Sequence, residues 1–160
     1  MNFKETLIKK KKDLLINLKT KEDLEFLSEA RSKKKIKWAD ENLPLLEEKY
    51  SNLSHVEKAF NIIYIDHLNS NKGDFELTYI TPNKLQILSR NFCPYLESCK
   101  DLNLDTREIC KLTGEKPFQD LASKIDKNLK FYRNYEKIRP YCDYCEEYLE
   151  FIPQSENLNK

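Results

Sequence analysis

Glycine is almost missing from this chain, with only Gly73 and Gly114 among 160 residues. A loop that cradles nucleotide phosphates needs several glycines close together, so nucleotide-dependent phosphoryl transfer is not expected. Histidine is as scarce: His55 and His67 flank one helical stretch far in sequence from any cysteine. They read as capping or surface residues rather than ligands. No apolar run approaches the roughly 20 residues that cross a bilayer. Lys9 to Lys12 interrupt what would be the apolar centre of a secretory signal. Internal repeats are missing too. These absences favour a cytoplasmic protein without a membrane partner.

What the chain does hold is 39% apolar and 34% charged residues, polar for a globular protein but too rich in Tyr, Phe, Ile and Leu for disorder. Its net charge of +1 hides a split. Residues 1–40 carry 12 Lys or Arg against 7 Asp or Glu, whereas residues 41–160 carry 16 against 20. The length suits one compact core with an appendage. The expected organisation is a basic helical arm at 1–40, a cysteine-containing domain at 41–154, and a disordered tail at 155–160.

Phe3, Leu7, Leu14, Leu15 and Leu18 recur at helical spacing, which predicts a first helix. Leu24 and Leu27 mark a second over Lys21 to Arg31, and the lysines around Ile36 and Trp38 break its pattern. Ser54-His55-Val56-Glu57 reads as a capping box opening a buried helix to about Leu68. The period then changes to two. Phe75, Leu77 and Tyr79, a turn at Thr81-Pro82-Asn83, and Leu85, Ile87 and Ser89 predict a β-hairpin. Pro94 starts a short helix with Cys93 at its cap. Asp105 caps another that ends near Gly114, and a third runs from Pro117 to Ile125. Leu129 to Arg133 and Tyr144 to Phe151 read as strands, the latter with helix as an alternative. The fold class is α+β: an antiparallel sheet of about four strands packed against several helices, with the arm outside.

All five cysteines fall from Cys93 onward. In a reducing compartment such a cluster points to a metal before disulfides. Cys142-Asp-Tyr-Cys145 is the turn that commonly supplies two thiolates to tetrahedral zinc, and Cys93 and Cys110 would complete the set. Four thiolates suit an iron–sulfur cluster almost equally. Cys99 shares a helical face with Tyr95 and Leu96 and reads as core. The competing readings are five buried thiols, or a redox pair at Cys142 and Cys145. A nucleophile at Cys93, with Glu97 one turn on as acid or base, is a further candidate. Between Arg133 and Tyr141 the chain gathers two arginines and several aromatics. Arg133, Arg139 and Tyr141 are therefore candidates for holding a small anionic ligand. The plainer reading pairs the arginines with Glu136, Glu146 or Glu147.

The stretch Asn91-Phe92-Cys93-Pro94-Tyr95-Leu96-Glu97-Ser98-Cys99-Lys100, with Leu104-Asp105 and Cys110 after it, resembles the Cys-Pro segment of two related groups. They are the L-2-amino-thiazoline-4-carboxylate hydrolase-like proteins and the 4-vinyl reductase domain. That resemblance spans about residues 54–152 and implies small-ligand or metal binding, with Cys93, Cys110 and one of Cys142 or Cys145 as matching positions. The stretch from Leu129 to Glu147 also resembles an extension of some nucleoside-deaminase-like proteins. It implies an accessory role, since the His-x-Glu and Pro-Cys-x-x-Cys signature of deaminases is missing. The leading expectation is a zinc-binding module with a small-ligand-binding or accessory role, with a small anionic molecule or a protein as partner. A hydrolase of a small sulfur- or nitrogen-containing ring comes second. RNA association through the arm, where Trp38 stands among lysines, comes third.

Overall fold

The computed structural model describes residues 1–154; the 155–160 segment, read as a disordered tail, lies outside the described residues. Among the described residues five α-helices and a four-stranded antiparallel sheet form the α+β architecture expected from the sequence. Asn2 and Glu5 close a capping box on α1 (Phe3–Ile16), and Thr20 and Asp23 close a second on α2 (Lys21–Lys49). α2 does not end at Arg31, and the expected boundary at residue 40 falls inside it. Its buried stripe runs Leu24, Leu27, Ser28, Ser32, Lys35 and Ala39. The helical spacing continues, but polar side chains occupy half of it, so hydropathy alone shows a break where there is none.

The same correction applies to α5 (Thr106–Ile125), a single helix through Gly114 and Pro117 rather than two. Ile109, Thr113, Gly114, Pro117, Phe118, Leu121, Ala122 and Ile125 are buried along it at helical spacing. Packing on one side outweighs the cost of two helix-breaking residues, about 1 kcal/mol for the glycine and about 3 for the proline. α2 and α5 lie against each other through close polar pairs. The Ser32 hydroxyl donates to Asp120 at 2.6 Å and Lys124 meets Asp40 at 2.7 Å.

Ser54 accepts from the Glu57 amide at the start of α3 (His55–Phe60), one half of the predicted box. The helix then widens into a π-helical stretch, Asn61–His67. β1 (Phe75–Thr81) and β2 (Lys84–Ser89) form the predicted hairpin. α4 (Pro94–Leu102) follows with Cys93 at its N-cap, and Asn103 closes it at φ 54°. β3 (Leu129–Asn134) and β4 (Cys145–Phe151) complete the sheet in the order β1-β2-β4-β3. Among the described residues no helix is long and apolar enough to cross a membrane.

Strand register decides what faces the helices. Leu85 pairs with Leu149 and Phe131 with Leu149, so one end of the inner face is apolar. Two residues along, Ile87 and Arg133 pair with Glu147, and Ser89 pairs with Cys145. The inner face thus turns polar toward one end. The main core, with Phe60, Ile63, Leu85, Ile87, Leu121 and Leu149, fills the apolar end. A second cluster of Leu15, Leu24, Leu27, Tyr95, Cys99 and Ile109 fastens α1 and the start of α2 to α4 and α5. The basic arm is therefore packed on the body, and Trp38 sits against the core with its ring edge on His67.

Ile87 has no solvent exposure, so Ile87→Ala should lower unfolding free energy by about 2–5 kcal/mol. Phe26→Ala, at a side chain 76% exposed, should change it by less than about 0.5 kcal/mol. Urea unfolding followed by the fluorescence of Trp38 checks both.

Candidate ligand-binding cavity

A cavity of about 980 Å³ opens where the inner face of the sheet becomes polar. α1 covers it through Phe3, Lys4, Leu7, Lys11 and Leu14; the floor is Arg133, Cys145 and Glu147 of the sheet. α2 contributes Arg31 and Lys35, the π-helical stretch contributes Tyr64 and His67, and α5 contributes Cys110, Thr113 and Gly114. Eight Lys or Arg residues line it against two acidic ones, Asp74 and Glu147, among the described residues. Glu147 is already committed, for the Arg133 Nε–H donates to it at 2.6 Å. Burial disfavours the Arg133 cation, but Glu147, Cys110, Tyr135 and Tyr64 together outweigh it and raise its pKa well above the ordinary value.

Two helix-breaking residues make room for the guanidiniums. Pro117 has no N–H, so the Thr113 carbonyl one turn earlier lacks its helical donor. Arg31 Nη1 takes that place and donates to Thr113 O at 2.8 Å. The same Nη1 also donates to the Thr113 hydroxyl at 3.3 Å, and the Tyr95 ring lies 4.3 Å beneath the guanidinium. At Gly114 a Cβ would stand 3.3 Å from Arg133 Nη1 and 3.5 Å from Arg31 Nη1. Glycine in mid-helix thus lets two cationic side chains converge on bare backbone. Burial lowers the pKa of Arg31.

Lys35, one turn after Arg31, is only 7% exposed. Its Nζ lies 3.0 Å from His67 Nε2 and 4.2 Å above the Phe118 ring. Burial first, then the charges of Arg31, Arg133 and Lys11, bring it down to about 7. Burial first, then the charges of Lys35 and Arg31, push His67 down to about 3, so the ring is neutral at ordinary pH. His67 Nδ1 is buried without a partner among the described residues. The Tyr64 hydroxyl is near enough to Glu147 for burial and that charge to raise its pKa well up, yet it makes no hydrogen bond of ordinary geometry.

The predicted metal centre is corrected here. Among the described residues no group of three or more His, Cys, Asp or Glu side chains is arranged to hold a metal ion. Cys93, Cys110 and Cys145 line the cavity, but Cys142 does not; its thiol donates to Tyr144 O in its own turn. Cys145 Sγ accepts from Arg139 Nε at 3.3 Å, which places a cation where zinc or an iron–sulfur cluster would need open space. All five cysteines are free thiols, and Cys99 is the core residue the helical spacing predicts. Burial raises Cys110 to about 12 and Cys145 above its ordinary value.

Of the proposed ligand contacts, Arg133 and Arg139 reach the cavity and Tyr141 does not; its hydroxyl donates to Asp105 on the surface. Arg139 is anchored by Asn91 O at 2.7 Å. Glu97 pairs with Lys100 at the surface and lies outside the cavity that Cys93 lines. Arg31, Lys35 and Tyr64 were not singled out from the sequence; His67, read there as a capping or surface residue, lines the cavity with a buried Nδ1, and Gly114, read as a helix end, lies inside α5. The one usable signal was Gly114 with Pro117 inside an apolar-periodic stretch, where both residues cost helix stability and so imply a use. Known proteins offer no parallel: no family model, curated protein or solved structure matches the chain, and the resemblance of its Cys-Pro segment gains no support.

Lys35 binds fewer protons folded, with its pKa at about 7, than unfolded at 10.5. Its contribution to stability therefore rises with pH above 7 and is fully unfavourable below. His67 acts with the same sign between about 3 and 6.5. Lys35→Met should be more stable than the parent at pH 6, by a few kcal/mol in order of magnitude, and the difference should shrink by pH 9. Urea titrations of both proteins at the two pH values measure it; a pH-independent difference would contradict the buried cation.

Proposed function

We propose that this chain binds a small anionic molecule, carrying a carboxylate or phosphate, inside the cavity. The observation that carries this reading is the convergence of Arg31 and Arg133 over Gly114, in a space whose described lining is strongly cationic. Like charges brought together away from water repel, and the low dielectric that makes this costly also makes an anion between them strongly favourable. Guanidinium groups suit the task because their fixed fork of donors matches two oxygens of one acid. Arg139, held in place by Asn91 and Cys145, offers a further cation at the rim of the same space.

Inorganic phosphate, acetate, lactate and succinate, titrated in turn while thermal unfolding is followed, test the reading. At least one should stabilise the protein, reaching about 2.7 kcal/mol at a hundredfold excess over its dissociation constant. The effect should be larger at pH 6 than at pH 9, because Lys35 is charged only below about 7. Arg31→Met should weaken binding at least about tenfold, the equivalent of 1.4 kcal/mol. Stabilisation by none of these anions, or equal stabilisation of Arg31→Met, would refute it.

A further inference from the structure

We infer that Lys35 is a nucleophilic amine that forms an imine with a short oxo carboxylate held by Arg31 and Arg133. This deepens the anion-binding reading and rests on it. Three observations support the assignment. Lys35 is an amine almost wholly removed from water, with no acidic partner among the described residues to hold it as an ion pair; among them its Nζ meets His67 Nε2 at 3.0 Å and the Phe118 ring. A structural lysine at this depth would be expected to have a carboxylate beside it. It stands one turn from Arg31 on the same face of α2, and Arg133 lies over the same Phe118 ring at 5.1 Å. A carboxylate between the guanidiniums thus sets a neighbouring carbonyl carbon at the amine. Third, His67 Nδ1 is buried without a partner among the described residues, on a ring that lines the cavity. An occupant with acceptor oxygens would satisfy it. π-Helical stretches such as the one bearing His67 occur often at functional sites.

The groups facing the amine also set its reactivity. Arg31, Arg133 and Lys11 repel a proton from Nζ and burial adds to that, so at neutral pH a large share of Lys35 is the free base that nucleophilic addition requires. The neutral amine donates one N–H to His67 Nε2 and keeps its lone pair for the substrate. The lone pair adds to the carbonyl carbon, the carbonyl π electrons pass to oxygen, and the proton lost by nitrogen is taken at His67 Nε2. Returned to the oxygen, that proton completes the carbinolamine hydroxyl. This hydroxyl leaves as water with the proton still held by the carbinolamine nitrogen, whose N–H bonding pair forms the C=N bond. No oxidant or reductant is consumed.

Borohydride trapping tests this on the full chain. With pyruvate and sodium cyanoborohydride, intact-mass spectrometry should show a gain equal to the acid less one oxygen, and peptide mapping should place it on Lys35. Lys35→Arg keeps the cation but cannot form the imine, so it should lose the adduct and retain stabilisation by lactate, the matching hydroxy acid. His67→Phe should slow adduct formation at least tenfold. No adduct on parent protein that lactate still stabilises would overturn the imine and leave anion binding standing. An adduct on Lys4, Lys11 or Lys34 in place of Lys35 would overturn it as well. Failure of lactate alone to stabilise the parent would overturn the oxo carboxylate, and failure of phosphate, acetate, lactate and succinate together would refute the anion reading beneath it.

Discussion

The wall of the cavity is organised around the ion pair of Arg133 and Glu147, which face each other on neighbouring strands at 2.6 Å and are both withdrawn from water. Breaking such a pair would leave a lone buried charge, at a cost of about 3–5 kcal/mol. It settles only one of the cations gathered there. Arg31 and Lys35 are accommodated by devices that carry no negative charge: a carbonyl released by Pro117, the ring faces of Tyr95 and Phe118, and an imidazole held neutral. Together these leave positive potential inside the protein unneutralised, a state most proteins avoid.

Most of the sheet was legible from the sequence because the hairpin and the Leu129 to Arg133 segment alternate; at Tyr144 to Phe151, where Cys145 and Glu147 replace apolar side chains, helix stood as an alternative and the structure shows a strand. The hairpin, the strand pair and the cap at Cys93 follow directly. Two helices were misread for one reason. In α2 the inward positions are Ser28, Ser32 and Lys35, and in α5 they include Thr113, Gly114 and Pro117. A reading that equates inward with apolar breaks the helix at those residues. Lys35, Thr113 and Gly114 among them also line the cavity, so hydropathy fails where the helices turn polar side chains and bare backbone toward it.

The cysteines illustrate the opposite error. Their clustering in sequence is real, and three of them do line one cavity. Spacing says nothing, however, about which groups a fold interposes, and the arginines from β3 and the loop before β4 stand among the thiols. Arg133 and Arg139 were singled out for the affinity of guanidinium groups for acids. That property is what makes the surroundings unsuitable for a dication.

The burial that raises Cys110 has a consequence for how the protein ages. Peroxide attacks the thiolate, and the oxidised ladder from sulfenic to sulfonic acid begins only there. With its pKa pushed up to about 12, Cys110 remains a thiol at any physiological pH. It therefore gives the cavity wall a polarizable, nearly apolar surface that oxidants leave intact.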